Sequence, residues 1–196
     1  MARAVQKRTL ETRTRLIAAA EQIIAEAGYE ALRVEEVVLR AGTAKGTFFA
    51  HFKDKDALMD RIIGARIDEI LDDIEAEAPP QTVHAMTDAL MPVCNFMTCE
   101  RYVFDVILRY SGAAAIEEIG PIATTFGRMI HVLERWLEDL PFRTDLSIDL
   151  RAEGIHAFML QAMAVHFCAL HSAQTIAERL EAYLTAWLMP GTEDRS

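Results

Sequence analysis

Residues 12–63 read TRTRLIAAAEQIIAEAGYEALRVEEVVLRAGTAKGTFFAHFKDKDALMDRII, and this stretch decides the fold. Leu16, Ile17, Ala20, Ile23, Ile24 and Ala27 recur at helical spacing, and Gly28 stands where a left-handed C-cap is wanted. A short helix follows with Val34, Val37, Val38 and Ala41 on one side. Ala41-Gly42-Thr43 interrupts it, and a second short helix runs from about Ala44 to Ala50. Two short helices joined by a tight glycine turn and packed on a longer first helix describe a helix-turn-helix, spanning about residues 33–52. The first short helix must bury its valine face to hold the second at an angle, and Gly42 supplies the unusual backbone of the turn. The second helix must keep small or polar side chains outward. Lys45 and Thr47 are placed to do so, while Phe48 and Phe52 serve the core.

Outward from this stretch, helical periodicity runs from about Thr9 to Leu188 and no alternating strand pattern occurs. Asp54 is a good N-cap for a helix over 55–77, about 33 Å long. Leu58, Ile62, Ile67, Ile70 and Ile74 form its apolar side, and Pro79-Pro80 ends it. Further helices are predicted at 82–98, 100–111, 122–139, 148–171 and 174–188, punctuated by Gly112, Gly120-Pro121, Pro141 and Ser172. The chain therefore reads as all-α, a three-helix head over 1–54 and a larger helical body over 55–196.

The composition is 52% hydrophobic over 196 residues, enough for a sizeable core. No run of about 18 apolar residues offers a membrane span. The N-terminal MARAVQKRTLETRTR is basic without an apolar segment behind it, so the expected location is the cytoplasm. Cys94, Cys99 and Cys168 suit a reducing compartment. Net charge is −10, which argues at first against a nucleic-acid partner. The charge is unevenly spread. Residues 1–53 hold nine Lys/Arg against six Glu, and the remainder eleven against twenty-four acidic residues. A phosphate feels charge within roughly 8–10 Å, so a basic head can attract it despite an acidic body.

With Thr12-Arg13, Leu16-Ile17, Ala19-Ala20, Gly28-Tyr29, Val34, Val37, Ala41-Gly42, Lys45-Gly46-Thr47, Phe48, His51-Phe52, Lys55 and Leu58 in register, residues 12–63 resemble the DNA-binding domain of the TetR family of repressors. The resemblance implies a two-fold homodimer that places one recognition helix per subunit in successive major grooves of a palindromic operator in double-stranded DNA. It also implies a small-molecule effector that releases the repressor. Carried over by position, Ala44, Lys45, Gly46 and Thr47 would face base edges. Lys45 is the one long donor among them, suited to guanine or to a phosphate. His51 and Lys55 would hold the DNA backbone. Three positions depart from the family's habit. Phe49 replaces a frequent tyrosine and cannot donate to phosphate. Arg33 replaces a capping hydroxyl, forfeiting ~1 kcal/mol while offering a charged phosphate contact. Thr43 replaces an apolar residue and is placed to cap the recognition helix.

In the body, Ile176, Leu180, Tyr183, Leu184, Trp187 and Leu188 make one apolar face of an amphipathic helix. Residues 155–170 are apolar on nearly every side, through Ile155, Phe158, Met159, Met163, Val165, Phe167 and Leu170. The two helices are expected to pair with their symmetry mates, with Phe158, Val165, Leu180, Tyr183, Leu184 and Trp187 at the interface. Met and aromatic residues crowd the middle helices. Met91, Phe96, Phe104, Tyr110, Met129, Trp136, Met159 and Met163 are candidate lining for a largely apolar effector, with His131 as a polar handle. Arg109 and His156 are further handles. The alternative is a regulator controlled by a protein partner, or without an effector, in which the body is simply filled. Catalytic motifs are missing: no HExxH, P-loop, GxSxG or dinucleotide fingerprint occurs. No metal or cofactor is expected, and the acidic run Asp72, Asp73, Glu75, Glu77 reads as a solvated helix face.

Overall fold

A computed structural model describes residues 2–111, 119–138, 142–168 and 173–189. The expected breaks at Gly112, Pro141 and Ser172, and Leu170, lie outside the described residues. Within them the chain forms nine helices and no strand. They are α1 (Ala2–Ala27), α2 (Val34–Arg40), α3 (Lys45–His51), α4 (Lys55–Ala76), α5 (Val83–Met97), α6 (Arg101–Tyr110), α7 (Pro121–Leu137), α8 (Ile148–His166) and α9 (Ile176–Leu188).

The head is α1 to α3. Leu16, Ala20 and Ile23 of α1 are buried against Leu32, Val37 and Phe48. Positive φ angles fall on Gly28 (+86) and Gly42 (+61), the two positions where the chain must reverse after a helix. The Thr43 N–H bonds the Val38 carbonyl at 2.9 Å and closes the turn between α2 and α3. Helix α1 starts at Ala2, well before the expected Thr9, because its first turns lack an apolar period to reveal them.

Helix α4 joins head to body. Asp54 caps it by accepting from the Ala57 N–H at 2.8 Å, as its sequence predicts. Leu58, Met59, Ile62, Ile63, Ile67, Ile70, Leu71 and Ile74 bury one wide face. Helix α7 crosses α4 closely at Gly64, where an added Cβ would sit 2.7 Å from the Pro121 side chain. There the buried Asp60 carboxylate accepts the Ile122 N–H at 3.0 Å, at the start of α7. Further along, Arg128 of α7 donates to Asp68, Asp72 and Glu75, and Arg135 to Glu75. The acidic run is thus partly an ion-pair ladder between α4 and α7, a correction to its reading as a solvated face.

Helix α5 carries Pro92 on an exposed side and packs on α4 and α9. Helix α9 starts with a complete capping box, Thr175 and Glu178 each satisfying the other's backbone N–H. It lies against α5 and α8, so its apolar stripe is covered within the subunit. Helix α8 ends at His166, earlier than the expected 171.

Candidate nucleic-acid interface and body clefts

Helix α3 is anchored by Phe48, fully buried, and by Phe52 at its C-terminal end. Their rings lie 5.6 Å apart, and Phe49 meets Phe48 edge-on at 5.3 Å while remaining half exposed. The opposite side presents Ala44, Lys45, Gly46 and Ala50 to solvent, with Thr47 partly exposed beside them. That face has no bulky apolar side chain except Phe49. A groove of bases can approach it.

Lys45 Nζ is held by the Glu35 carboxylate of α2 at 2.5 Å, and this bond keeps the Glu35 carboxyl below its ordinary range. Both partners are exposed, so the pair is weak and a phosphate or base edge can displace the carboxylate. Thr43 does not cap α3 as expected. Its hydroxyl donates to the Ala44 carbonyl at 3.2 Å, and Ala44 is the N-cap residue, without a side-chain cap. Arg33 sits at the N-cap of α2 and likewise makes no cap. Its guanidinium donates to the Glu30 and Leu32 carbonyls at 2.6 and 3.0 Å, locking the loop before α2.

His51 is partly buried at the end of α3. Lys55 turns away from α3: its ammonium lies 4.2 Å from the centre of the Tyr102 ring, and burial lowers its pKa. The expected phosphate-holding lysine is therefore engaged with α6 in this conformation. Two residues missed in the sequence frame α3 instead. Arg15 donates to the Ala41 carbonyl at 3.3 Å in the helix-turn-helix turn, and the Arg13 guanidinium lies 5.2 Å from the Phe52 ring centre. The basic N-terminal run was the available signal.

Head and body are tied through the start of α6. Glu100 accepts from the Tyr29 and Glu30 N–H groups, each at 2.8 Å. Asp56 accepts from the Tyr102 hydroxyl at 2.7 Å and pairs with Arg109 at 2.8 Å. Arg109 is thus a structural tie, and the Tyr102 hydroxyl is pushed well above its usual range, first by burial and then by this bond.

The predicted effector residues do not converge on one cavity. Phe96 and Trp136 line a cleft of about 380 Å³ between α4, α5 and α7, with Ile70, Ile74, Ala89 and Pro92. Arg66, Asp73 and Glu77 form its rim. Tyr110 lines a separate cleft of about 690 Å³ with Lys53, Asp60 and Pro121. Met91 is partly buried and packs against the core. Phe104, Met129, Met159 and Met163 are core residues, none more than 2% exposed. His131 points to solvent and pairs with Glu134 at 2.9 Å, so it is no pocket handle. His156 is partly buried, its ring 4.7 Å from that of Phe126; among the described residues its Nε2 has no hydrogen-bond partner, and burial lowers its pKa to about 4.

The dimer candidates also divide. Leu180 and Leu184 are fully buried within the subunit and Val165 nearly so, because α5 and α8 already cover them. This corrects their assignment to an interface. Phe158, Tyr183 and Trp187 instead form a half-exposed aromatic cluster across α8 and α9, with Phe158 5.2 Å from Tyr183 and 5.8 Å from Trp187. Exposed Ala157, Ala164, Ala182 and Ala186 continue that surface. Gly154 lets the Trp187 indole lie on α8, where its N–H donates to the Arg151 carbonyl at 3.2 Å.

Among the described residues no cluster of His, Cys, Asp and Glu is arranged to hold a metal, and no helix is long and apolar enough to cross a membrane. The Cys94 thiol is buried and pushed up to about 12, the setting of an inert thiol.

Residues 16–62 match the model of the bacterial regulatory proteins of the tetR family. Over 109 residues the chain is 30% identical to an uncharacterized HTH-type transcriptional regulator, YvdT, of Bacillus subtilis, covering 55% of this chain and 56% of that one. It is also 30% identical over 125 residues to the HTH-type transcriptional repressor BepR of Brucella suis, covering 61% of this chain and 57% of that one. The matches span little more than half the length of these curated relatives. Across 89% of this chain and 92% of the other, the fold resembles Thermus thermophilus FadR, a TetR-family repressor in complex with lauroyl-CoA, at TM-score 0.63 and 15% identity. A complex of SmeT with triclosan gives TM-score 0.58 at 20% identity, covering 92% of this chain and 94% of that one.

Proposed function

We propose that this chain, whose residues 16–62 match the model of the bacterial regulatory proteins of the tetR family, is a homodimeric transcriptional repressor which binds a palindromic operator through α3. A small, largely apolar effector releases it. The observation that carries this reading is the outer face of α3. Lys45, Gly46 and Thr47 stand on a helix fixed from behind by Phe48 and Phe52, and among the described residues the exposed Glu35 carboxylate is what competes for Lys45. In this reading residues 1–54 read the DNA, and residues 55–196 dimerise and sense.

Dimerisation is supported by the outer surface of α8 and α9. Alanines and half-exposed aromatics stand where a monomer would carry charges. Two such surfaces related by a two-fold axis allow close helix approach and bury the Phe158 cluster.

For the effector, the α4–α5–α7 cleft is the best-supported seat. It has the volume of a small-molecule site, an aromatic floor of Phe96 and Trp136, and a wall on α4. Occupancy that favours a shifted α4 would change the spacing of the two α3 helices, and a rigid operator penalises the mismatch. Coupling of ~1–3 kcal/mol weakens operator binding about 5- to 150-fold. The two fold neighbours solved with small molecules are compatible with such a seat. The filled core around Met129, Met159 and Met163 supports the second reading, a regulator without a small-molecule effector.

The test is selection of duplex DNA by the full-length protein, with wild type and Lys45→Ala compared at two salt concentrations. A selected palindrome bound by a dimer, with affinity falling ~10³–10⁵ between 50 and 200 mM salt, supports the proposal. Weak binding without sequence preference overturns it. Loss of discrimination at one symmetric base pair in Lys45→Ala places the lysine on a base, and a uniform loss places it on phosphate.

A further inference from the structure

Residues 2–15 of α1 lie before the matched domain, and from residue 7 onward the first buried side chain of the helix is Leu16. This leading segment is helical, so it extends beyond the head by about 21 Å at 1.5 Å per residue. Its composition is unlike the rest of the acidic chain: Arg3, Lys7, Arg8, Arg13 and Arg15 stand against the single acid Glu11. The structure also gives its orientation. Arg15 reaches the Ala41 carbonyl in the turn before α3, and Arg13 covers Phe52 just after α3. The segment therefore leaves the head beside the recognition helix, not on the side of the body.

The face of α1 that looks at the turn is marked by Arg15. Seven residues make nearly two helical turns, so Arg8 falls on that same face, about 10 Å further out. Lys7 stands one position round the helix. Lys7 makes only a long pair with Glu11, at 3.9 Å with both side chains largely exposed, and Thr14 returns its hydroxyl to the Leu10 carbonyl. Among the described residues nothing buries Lys7 or Arg8, and both are exposed.

We propose that the leading turns of α1 form a second DNA contact, in which Lys7 and Arg8 bind backbone phosphates next to the half-site read by α3. The contact rests on the operator-binding reading above. It adds affinity without adding sequence information, because phosphates are the same at every step. The acidic surface of a second subunit would attract the same charges, and the experiment separates the two.

Operator affinity is measured across a salt series for the full-length protein, for Lys7→Gln/Arg8→Gln, and for Glu11→Gln. Each lost phosphate contact should flatten the log–log salt dependence by about 0.9. The double variant should then lose close to two units of slope and bind roughly tenfold or more weakly at low salt. The curves should approach each other at high salt, and the ratio of operator to scrambled-duplex affinity should not change. Glu11→Gln should shift binding in the opposite direction. Helicity by circular dichroism checks that the segment still folds. Wild-type affinity and slope in the double variant, with wild type still selecting its palindrome, overturn the second contact and leave the operator reading standing. So does a double variant whose loss disappears at protein concentrations that saturate the dimer, since Lys7 and Arg8 would then serve subunit pairing. If wild type selects no palindrome, both proposals fall together.

Discussion

The Glu100 carboxylate accepts the Tyr29 backbone N–H at 2.8 Å, tying the residue that precedes α6 of the body to the loop that follows α1 of the head. Its second oxygen takes the Glu30 N–H at the same distance. The left-handed turn at Gly28 is what aims both N–H groups at one carboxylate, and a Cβ there would lie 2.7 Å from Glu100 Oε1. Two N–H groups outside a helix are satisfied from the other half of the molecule.

Replacing Glu100 with Ala should therefore loosen the head more than the body. Hydrogen bonds to a charged group are worth more than neutral ones, and partial exposure discounts them, leaving about 1 kcal/mol. Gly28→Ala should cost more, because it adds left-handed backbone strain of ~1–2 kcal/mol and displaces the same carboxylate. Hydrogen exchange of Tyr29 and Glu30, with thermal unfolding alongside, reads the effect. Unchanged protection of both amides in Glu100→Ala would show the tie to be idle.

The same geometry separates the two kinds of apolar residue in α9. Leu184 is fully buried between α5 and α8, so Leu184→Ala should destabilise the subunit by ~2–5 kcal/mol. Tyr183 and Ala182 face outward, and Tyr183→Glu or Ala182→Glu should leave a folded monomer that no longer grips a palindrome. Sedimentation together with denaturant unfolding distinguishes the outcomes. A stable dimer in both charge variants would remove α9 from the interface.

How much of this was legible varies along the chain for physical reasons. From Leu16 to Leu58 the determinants are local: apolar residues at helical spacing, Gly28 and Gly42 where φ must be positive, Asp54 at a cap. The fold of the head and the outer face of α3 follow from them directly. For Leu180 and Leu184, a stripe at helical spacing says that a face is buried, not whether α8 or a second subunit buries it. Arg128 lies 56 residues from Asp72, and no local pattern announces such a pair. Lys55 reads as a phosphate holder in sequence, and nothing local announces the Tyr102 ring of α6 against its ammonium. His131 read as a pocket handle because sequence spacing alone does not say which side of α7 meets solvent.

On α3, Phe49 is half exposed and has no donor to offer. Phe49→Tyr adds a hydroxyl at the edge of the proposed DNA-facing surface without disturbing Phe48, against which the ring already rests edge-on. If the position lies over a phosphate, the new charge-assisted hydrogen bond should tighten operator binding by up to about tenfold. The gain should appear on operator and scrambled duplex alike. Binding measured on both sequences checks it, and an unchanged or weakened affinity places Phe49 away from the backbone.

His156 gives the subunit a defined sensitivity to acid. Its ring lies against Phe126, its Nε2 has no partner among the described residues, and burial lowers its pKa from 6.5 to about 4. Between these values the unfolded chain binds a proton at this site and the folded chain does not. Stability must then fall as pH drops from 6.5 towards 4, by up to roughly 3 kcal/mol if the whole shift is expressed. Above 6.5 both states are neutral and the contribution is flat. His156→Leu removes the proton site and the unpartnered nitrogen while keeping an apolar group against Phe126. The variant should match or exceed wild-type stability at pH 7.5, with a shallower decline towards pH 4.5. Melting temperatures across that range decide the matter: parallel curves for the two proteins mean that another group governs the acid response.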